Sequence, residues 1–99
     1  MKQIIEIVNQ LYILETKIEK DGNTAIYGRH LQRMQQAIED MGYSYHSPEG
    51  EKYTETRTDI EATITGEPTD NMIIVQVIKP IVVQASQIVQ VGIVIVEGK

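Results

Sequence analysis

From Met72 to Val96 the chain carries a single charged residue, Lys79, and valine and isoleucine fill 15 of those 25 positions. About 20 consecutive apolar residues are enough to span a bilayer as a helix. This stretch is built differently, because Gln76, Lys79-Pro80, Gln84, Ser86, Gln87, Gln90 and Gly92 interrupt it every few residues. β-Branched side chains are restricted at χ1 and pack well on a pleated surface. The segment therefore reads as short buried strands separated by polar turns. Strands are expected over residues 72–78, 81–84 and 87–96, the last bent at Gly92, where a missing side chain permits a bulge.

The residues just ahead of it continue the β pattern. Between Thr58 and Thr65 the chain alternates, with Ile60, Ala62 and Ile64 on one face and Asp59, Glu61 and Thr63 on the other. That period predicts a strand buried on one side. Tyr43-Ser44-Tyr45-His46 is a further short strand, and Ser47-Pro48-Glu49-Gly50 has its proline and glycine placed for a turn. Residues 66–71, Gly-Glu-Pro-Thr-Asp-Asn, form the next loop.

The first 42 residues follow another period. Ile4, Ile7, Leu11, Leu14 and Ile18 recur at spacings of three and four, as an apolar helix face does. Ile5, Val8 and Tyr12 make a second stripe beside the first, so the apolar face is wider than a two-stranded coiled coil needs. Asp21-Gly22 ends the helix, glycine supplying a left-handed C-cap, and Asn23 or Thr24 begins the next. Tyr27, Leu31, Met34, Ile38 and Met41 repeat the pattern, and Gly42 follows the last of them. So short a turn forces the two helices to lie antiparallel. Two helices alone cannot bury two wide faces, and a second copy of the hairpin gives a four-helix bundle across a two-fold axis. The expected class is α+β: a helical hairpin over 1–42 for dimerisation, then a small all-β domain over 43–99. The dimer contact is expected on Ile4, Ile7, Leu11, Leu14, Ile18, Tyr27, Leu31, Met34, Ile38 and Met41.

Composition narrows the function classes. A length of 99 residues suits one small unit of structure, and 41% hydrophobic with 23% charged residues is ordinary globular usage. Cysteine is absent, which removes disulfides, zinc knuckles and a thiol nucleophile and makes a reducing, cytoplasmic setting the expectation. The net charge of −5 is the wrong sign for a nucleic-acid backbone binder. Acidic and polar residues inside the first apolar pattern argue against a signal peptide, and no membrane partner is expected.

Catalytic vocabulary is thin. His30 and His46 are not at a metal-binding spacing, and His30 flanks an apolar helix face. Glu49, Glu51, Glu55, Asp59, Glu61 and Glu67 could supply an acid–base pair, but a solvated rim explains them as well. Seven scattered glycines form no phosphate-binding loop. Arg29, Arg33 and Arg57 read either as a small basic patch or as surface ion pairs. The expectation is a protein without enzymatic activity, cofactor or metal, acting through binding.

The order of elements, and several stretches of sequence, resemble the GrpE family of cochaperones. Val77-Ile78-Lys79-Pro80-Ile81-Val82-Val83-Gln84-Ala85-Ser86-Gln87-Ile88-Val89-Gln90-Val91-Gly92-Ile93-Val94-Ile95-Val96 aligns without a gap with the family's last two strands. Gly50-Glu51-Lys52-Tyr53 resembles the family's glycine and the aromatic of its phenylalanine-aspartate-proline motif, and Glu61-Ala62 its glutamate-alanine. His30-Leu31 through Met41-Gly42 resembles its second bundle helix. The likeness spans roughly residues 10–96. Thr54-Glu55 replaces aspartate-proline, Lys79-Pro80 replaces a lysine-glycine turn, and Gln87 and Gln90 stand where the family has arginines. No counterpart of the family's long N-terminal stalk helix is found.

The resemblance implies a homodimeric chaperone accessory of the stress response. Its β-domain docks on a DnaK-type chaperone ATPase and promotes ADP release. It also implies partner contacts through Lys79, Gln84, Ser86, Gln87 and Gln90, positions that equally suit solubilising residues on an edge hairpin. Two alternatives remain: a dimeric adaptor on the same fold, and a lipoyl- or biotinyl-type carrier. The tail resembles half of such a carrier's barrel, with Lys79 as the modified lysine.

Overall fold

The protein is described by a computed structural model covering residues 2–98. Two helices come first, α1 (Lys2–Lys20) and α2 (Thr24–Asp40). Seven strands follow: β1 (Tyr43–His46), β2 (Lys52–Tyr53), β3 (Ile60–Thr65), β4 (Met72–Lys79), β5 (Ile81–Gln84), β6 (Gln87–Gln90) and β7 (Gly92–Gly98). The chain divides into two compact units, one ending at Ser44 and the other beginning at Tyr45.

In the helical unit, α1 stops in a Schellman arrangement. Gly22 has φ +75°, the Asn23 amide donates to Ile18 O at 2.9 Å, and the Gly22 amide donates to Glu19 O at 3.2 Å. Gly42, with φ +86°, closes α2 at the expected place. Asn23 does occupy the N-cap of α2, but its side chain makes no capping bond. The helix starts instead on its backbone carbonyl, which accepts from the amides of Ile26 and Tyr27 at 3.0 Å each. Between the helices, Gln35 Nε2 donates to Glu15 Oε2 at 2.5 Å. The second stripe of α1 is buried at Val8 and Tyr12.

The strands form a three-stranded sheet, β1-β5-β6, and a four-stranded sheet, β2-β4-β7-β3. β7 organises the larger sheet. It runs antiparallel to β4, with Met72 opposite Gly98, and parallel to β3, with Ile60 opposite Gly92 and Thr65 opposite Glu97. The core consists of Ile60, Met72, Ile74, Ile81, Val94 and Val96, with Tyr53, Ala62, Val77 and Val83 packed against it. Of the apolar tail, β4 and β7 are thus interior strands of the larger sheet, whereas β6 is an edge strand on which Ile88 is exposed.

Three boundaries differ from the sequence reading. The long terminal strand is two strands, β6 and β7, belonging to different sheets and separated at Val91. Gly92 makes that change of sheet possible: a Cβ there would lie 3.1 Å from Ile81 Cγ1 and 3.2 Å from Ile60 Cγ2. The strand expected from Thr58 begins at Ile60, because Asp59 is engaged by Arg57 and its carbonyl accepts from the Gly92 amide at 2.9 Å. β2 has only two residues, Lys52 and Tyr53, too short to show a period.

Candidate interaction surfaces

The spacing that marks the helices also builds a groove. Ile7, Leu11, Leu14, Met34, Ile38 and Met41 line a cavity of about 410 Å³ open along one face of the hairpin. Leu14 and Met34 continue into a second of about 300 Å³, bounded by Ile18, Tyr27, His30 and Leu31. Leu11, Ile18, Leu31 and Ile38 are buried and form the floor. Ile7, Leu14, Tyr27, Met34 and Met41 are 41–55% exposed. Nine of the ten residues read from the sequence as a dimer contact therefore lie on one continuous apolar surface; Ile4 is half-buried outside its lining.

The second surface is the β5–β6 hairpin. Its two-residue turn, Ala85-Ser86, has φ of +49° and +67°, the geometry of a type I′ connection made without glycine or asparagine. Lys79, Ser86 and Gln87 are exposed and Gln84 is half-buried. Gln90 is committed elsewhere, its Nε2 donating to Pro80 O at 2.9 Å and tying β6 to the β4–β5 connection. Lys79 is the last residue of β4, opposite Ile93 at the end of the β4–β7 ladder, with only Pro80 between it and β5.

In the β unit, Arg57 joins two carboxylates. Its Nε and Nη2 donate to Asp59 Oδ1 and Oδ2 at 3.0 and 2.9 Å, its Nη1 lies 3.2 Å from Glu51 Oε1, and Nη1 also donates to Lys52 O. His46 Nε2 meets the other Glu51 oxygen at 2.5 Å. Hydrogen bonds from Arg57 hold the Asp59 carboxyl below its ordinary range, and Asp59 in turn raises the Arg57 guanidinium. This is a structural clasp: through Arg57 it joins Glu51, just ahead of β2, to Asp59, just ahead of β3. Arg57 is thereby an ion-pair residue. Among the described residues no group of three His, Asp or Glu side chains is arranged to hold a metal ion.

Sequence reasoning named the carboxylates Glu51 and Asp59 as rim residues but missed their link through Arg57. Arg57-Thr58-Asp59 is the available signal, since residues i and i+2 lie close enough in a loop for a two-bond arginine–carboxylate pair.

The fold and surfaces define an α+β chain: a helical hairpin with an open apolar groove and a two-sheet β unit stabilised by a polar clasp. Comparison with protein-family models, curated proteins and solved structures finds no match. No helix among the described residues is long and apolar enough to cross a membrane.

Proposed function

We propose that the protein is a GrpE-like nucleotide exchange factor without catalytic chemistry of its own, acting as a homodimer on a DnaK-type chaperone ATPase. The observation that carries the reading is the helical groove. Two helices roughly 28 Å long and about 20 Å wide together present on the order of 550 Å² in outline. More area is buried once side chains interlock, which is comparable with the ~800 Å² per partner of a stable interface. An apolar surface of that size, flanked by polar residues, favours a partner that presents the same surface, and a second copy does so by symmetry.

With the hairpins paired, each β unit is a rigid body available to a partner. Binding the open nucleotide cleft of the ATPase more tightly than the closed one lowers ADP affinity, and ADP lowers the ATPase's affinity for this protein by the same factor. Lys79, Ser86 and Gln87 are the proposed contacts, with Gln84 beside them and Gln90 holding the hairpin in place. Stopped-flow release of a fluorescent ADP from the DnaK-type proteins of the source cell tests the reading. Acceleration is expected with at least one of them, and no acceleration with any would defeat it. A dimeric adaptor on the same fold is the second reading. One observation favours it: Gln90, where the family has an arginine, directs its amide inward to Pro80 O.

A further inference from the structure

Three of the side chains that line the helical groove can change charge: Glu6 in its larger part, and Tyr27 and His30 in its smaller. A glutamate ordinarily titrates below the range from roughly pH 5 to 8 and a tyrosine above it, whereas a histidine titrates within it. His30 is therefore the one lining residue whose charge follows acidity near neutrality. It shares its part of the groove with Leu14, Ile18, Leu31 and Met34, and no carboxylate lines that part. In the single chain His30 is exposed, so water solvates either form of the ring.

A second copy seated on the groove removes that water; this step rests on the homodimer of the proposed function. A two-fold axis lying along the helices sets the first half of α2 against the end of α1 in the other copy, and His30 comes near Lys17. An axis lying across them sets His30 against the later half of α2, near Ala37. Glu6 faces it in neither arrangement, being on the other helix at the opposite end of the hairpin. The remaining acids of the two helices lie off the groove. Glu15 accepts from Gln35, Asp40 accepts from Gln36 at 2.9 Å, and Glu19, Asp21 and Glu39 are not among the lining residues. Arg29 and Arg33, the exposed neighbours of His30 on α2, add positive charge. A protonated ring gains no carboxylate in the seam, and a cation covered without a partner is strongly disfavoured.

We propose that His30 makes the homodimer sensitive to acid: the seam closes over a neutral imidazole and opens once the ring is protonated. The paired state binds fewer protons than the separate chains, so association weakens as pH falls. Symmetry places two such rings in each dimer, which steepens the response.

The test is the dissociation constant of the full chain, measured by sedimentation equilibrium at about pH 7.5, 6.5 and 5.5 at one ionic strength. The parent's constant is expected to rise at least about tenfold from the highest pH to the lowest. His30→Gln is expected to dimerise with a constant that ignores pH. His46→Gln, which removes the chain's other histidine, is expected to behave as the parent does. Helical circular dichroism is expected to hold over the same range, and helicity lost in acid would overturn the proposal by making unfolding the cause. A parent constant that stays flat or tightens in acid, or a pH dependence that survives in His30→Gln, would overturn it as well. A pH-insensitive dimer leaves the homodimer standing and defeats only this proposal, whereas a chain that is monomeric at every pH defeats both.

Discussion

Arg57 and Asp59 meet side on, two parallel hydrogen bonds of 3.0 and 2.9 Å joining a planar guanidinium to a carboxylate only two residues away. The pair lies at the entry to β3, and the Asp59 backbone carbonyl simultaneously accepts from the Gly92 amide. Side-chain electrostatics and strand pairing therefore converge on one residue.

That convergence makes stability depend on acid. Asp59 holds its proton more weakly in the folded chain than at its ordinary value of 3.8. Its contribution is therefore fully present above that value and is lost as pH falls through the lower folded value. Arg57 stays charged throughout. Urea unfolding from neutral pH down to pH about 3 should show Asp59→Asn less stable than the parent at neutral pH, with the gap closing in acid. A gap independent of pH would mean that the pair acts by packing alone.

Gly92 is the point where the chain leaves one sheet for the other. A Cβ there meets Ile81 and Ile60, both buried, and approaches Lys79 O at 3.4 Å. Neither side chain can withdraw without disturbing the core. Gly92→Ala should destabilise the protein by about 1–2 kcal/mol in denaturant titration, overpacking outweighing the lower chain entropy of alanine. Unchanged or increased stability would show that the two isoleucines repack freely.

The Ala85-Ser86 turn carries strain in both residues, since a side chain at positive φ costs about 1–2 kcal/mol relative to glycine. Replacing Ala85→Asn and Ser86→Gly together supplies the residues that a type I′ turn prefers. A stability gain of roughly 1 kcal/mol or more is expected in thermal or urea unfolding. If Ser86 contacts the ATPase, the same double variant should also slow ADP release.

Legibility in the sequence followed the strength of each local signal. Both helix ends were readable because Gly22 and Gly42 sit where a left-handed residue is needed. Ile7, Leu14, Met34 and Met41 could be assigned to one surface because a helix repeats its faces by simple spacing. The parallel pairing of β3 with β7 was not readable, since alternation shows which face a residue takes but not which strand lies beside it. Ile64 alternates like a core residue and yet is exposed, because the inner face ends before the strand does. β2 is two residues long and is held by its pairing with β4, and the Arg57–Glu51 arm of the clasp joins residues on either side of β2, so neither leaves a local period in the sequence.

Leu14 and Met34 each border both parts of the helical groove, so they mark the centre of the proposed dimer seam. Each is more than 40% exposed in the single chain, so a charge there disturbs the hairpin little. The same charge in a paired seam would be buried without a partner, a cost of several kcal/mol against an association of modest size. Leu14→Glu and Met34→Lys should each give a monomer by light scattering while retaining the parent's helical circular dichroism. The parent's melting temperature should rise with protein concentration, as it does for any state held together by association, and that of each variant should not. If parent and variants share one mass and one concentration-independent melting temperature, the groove is not a seam between copies.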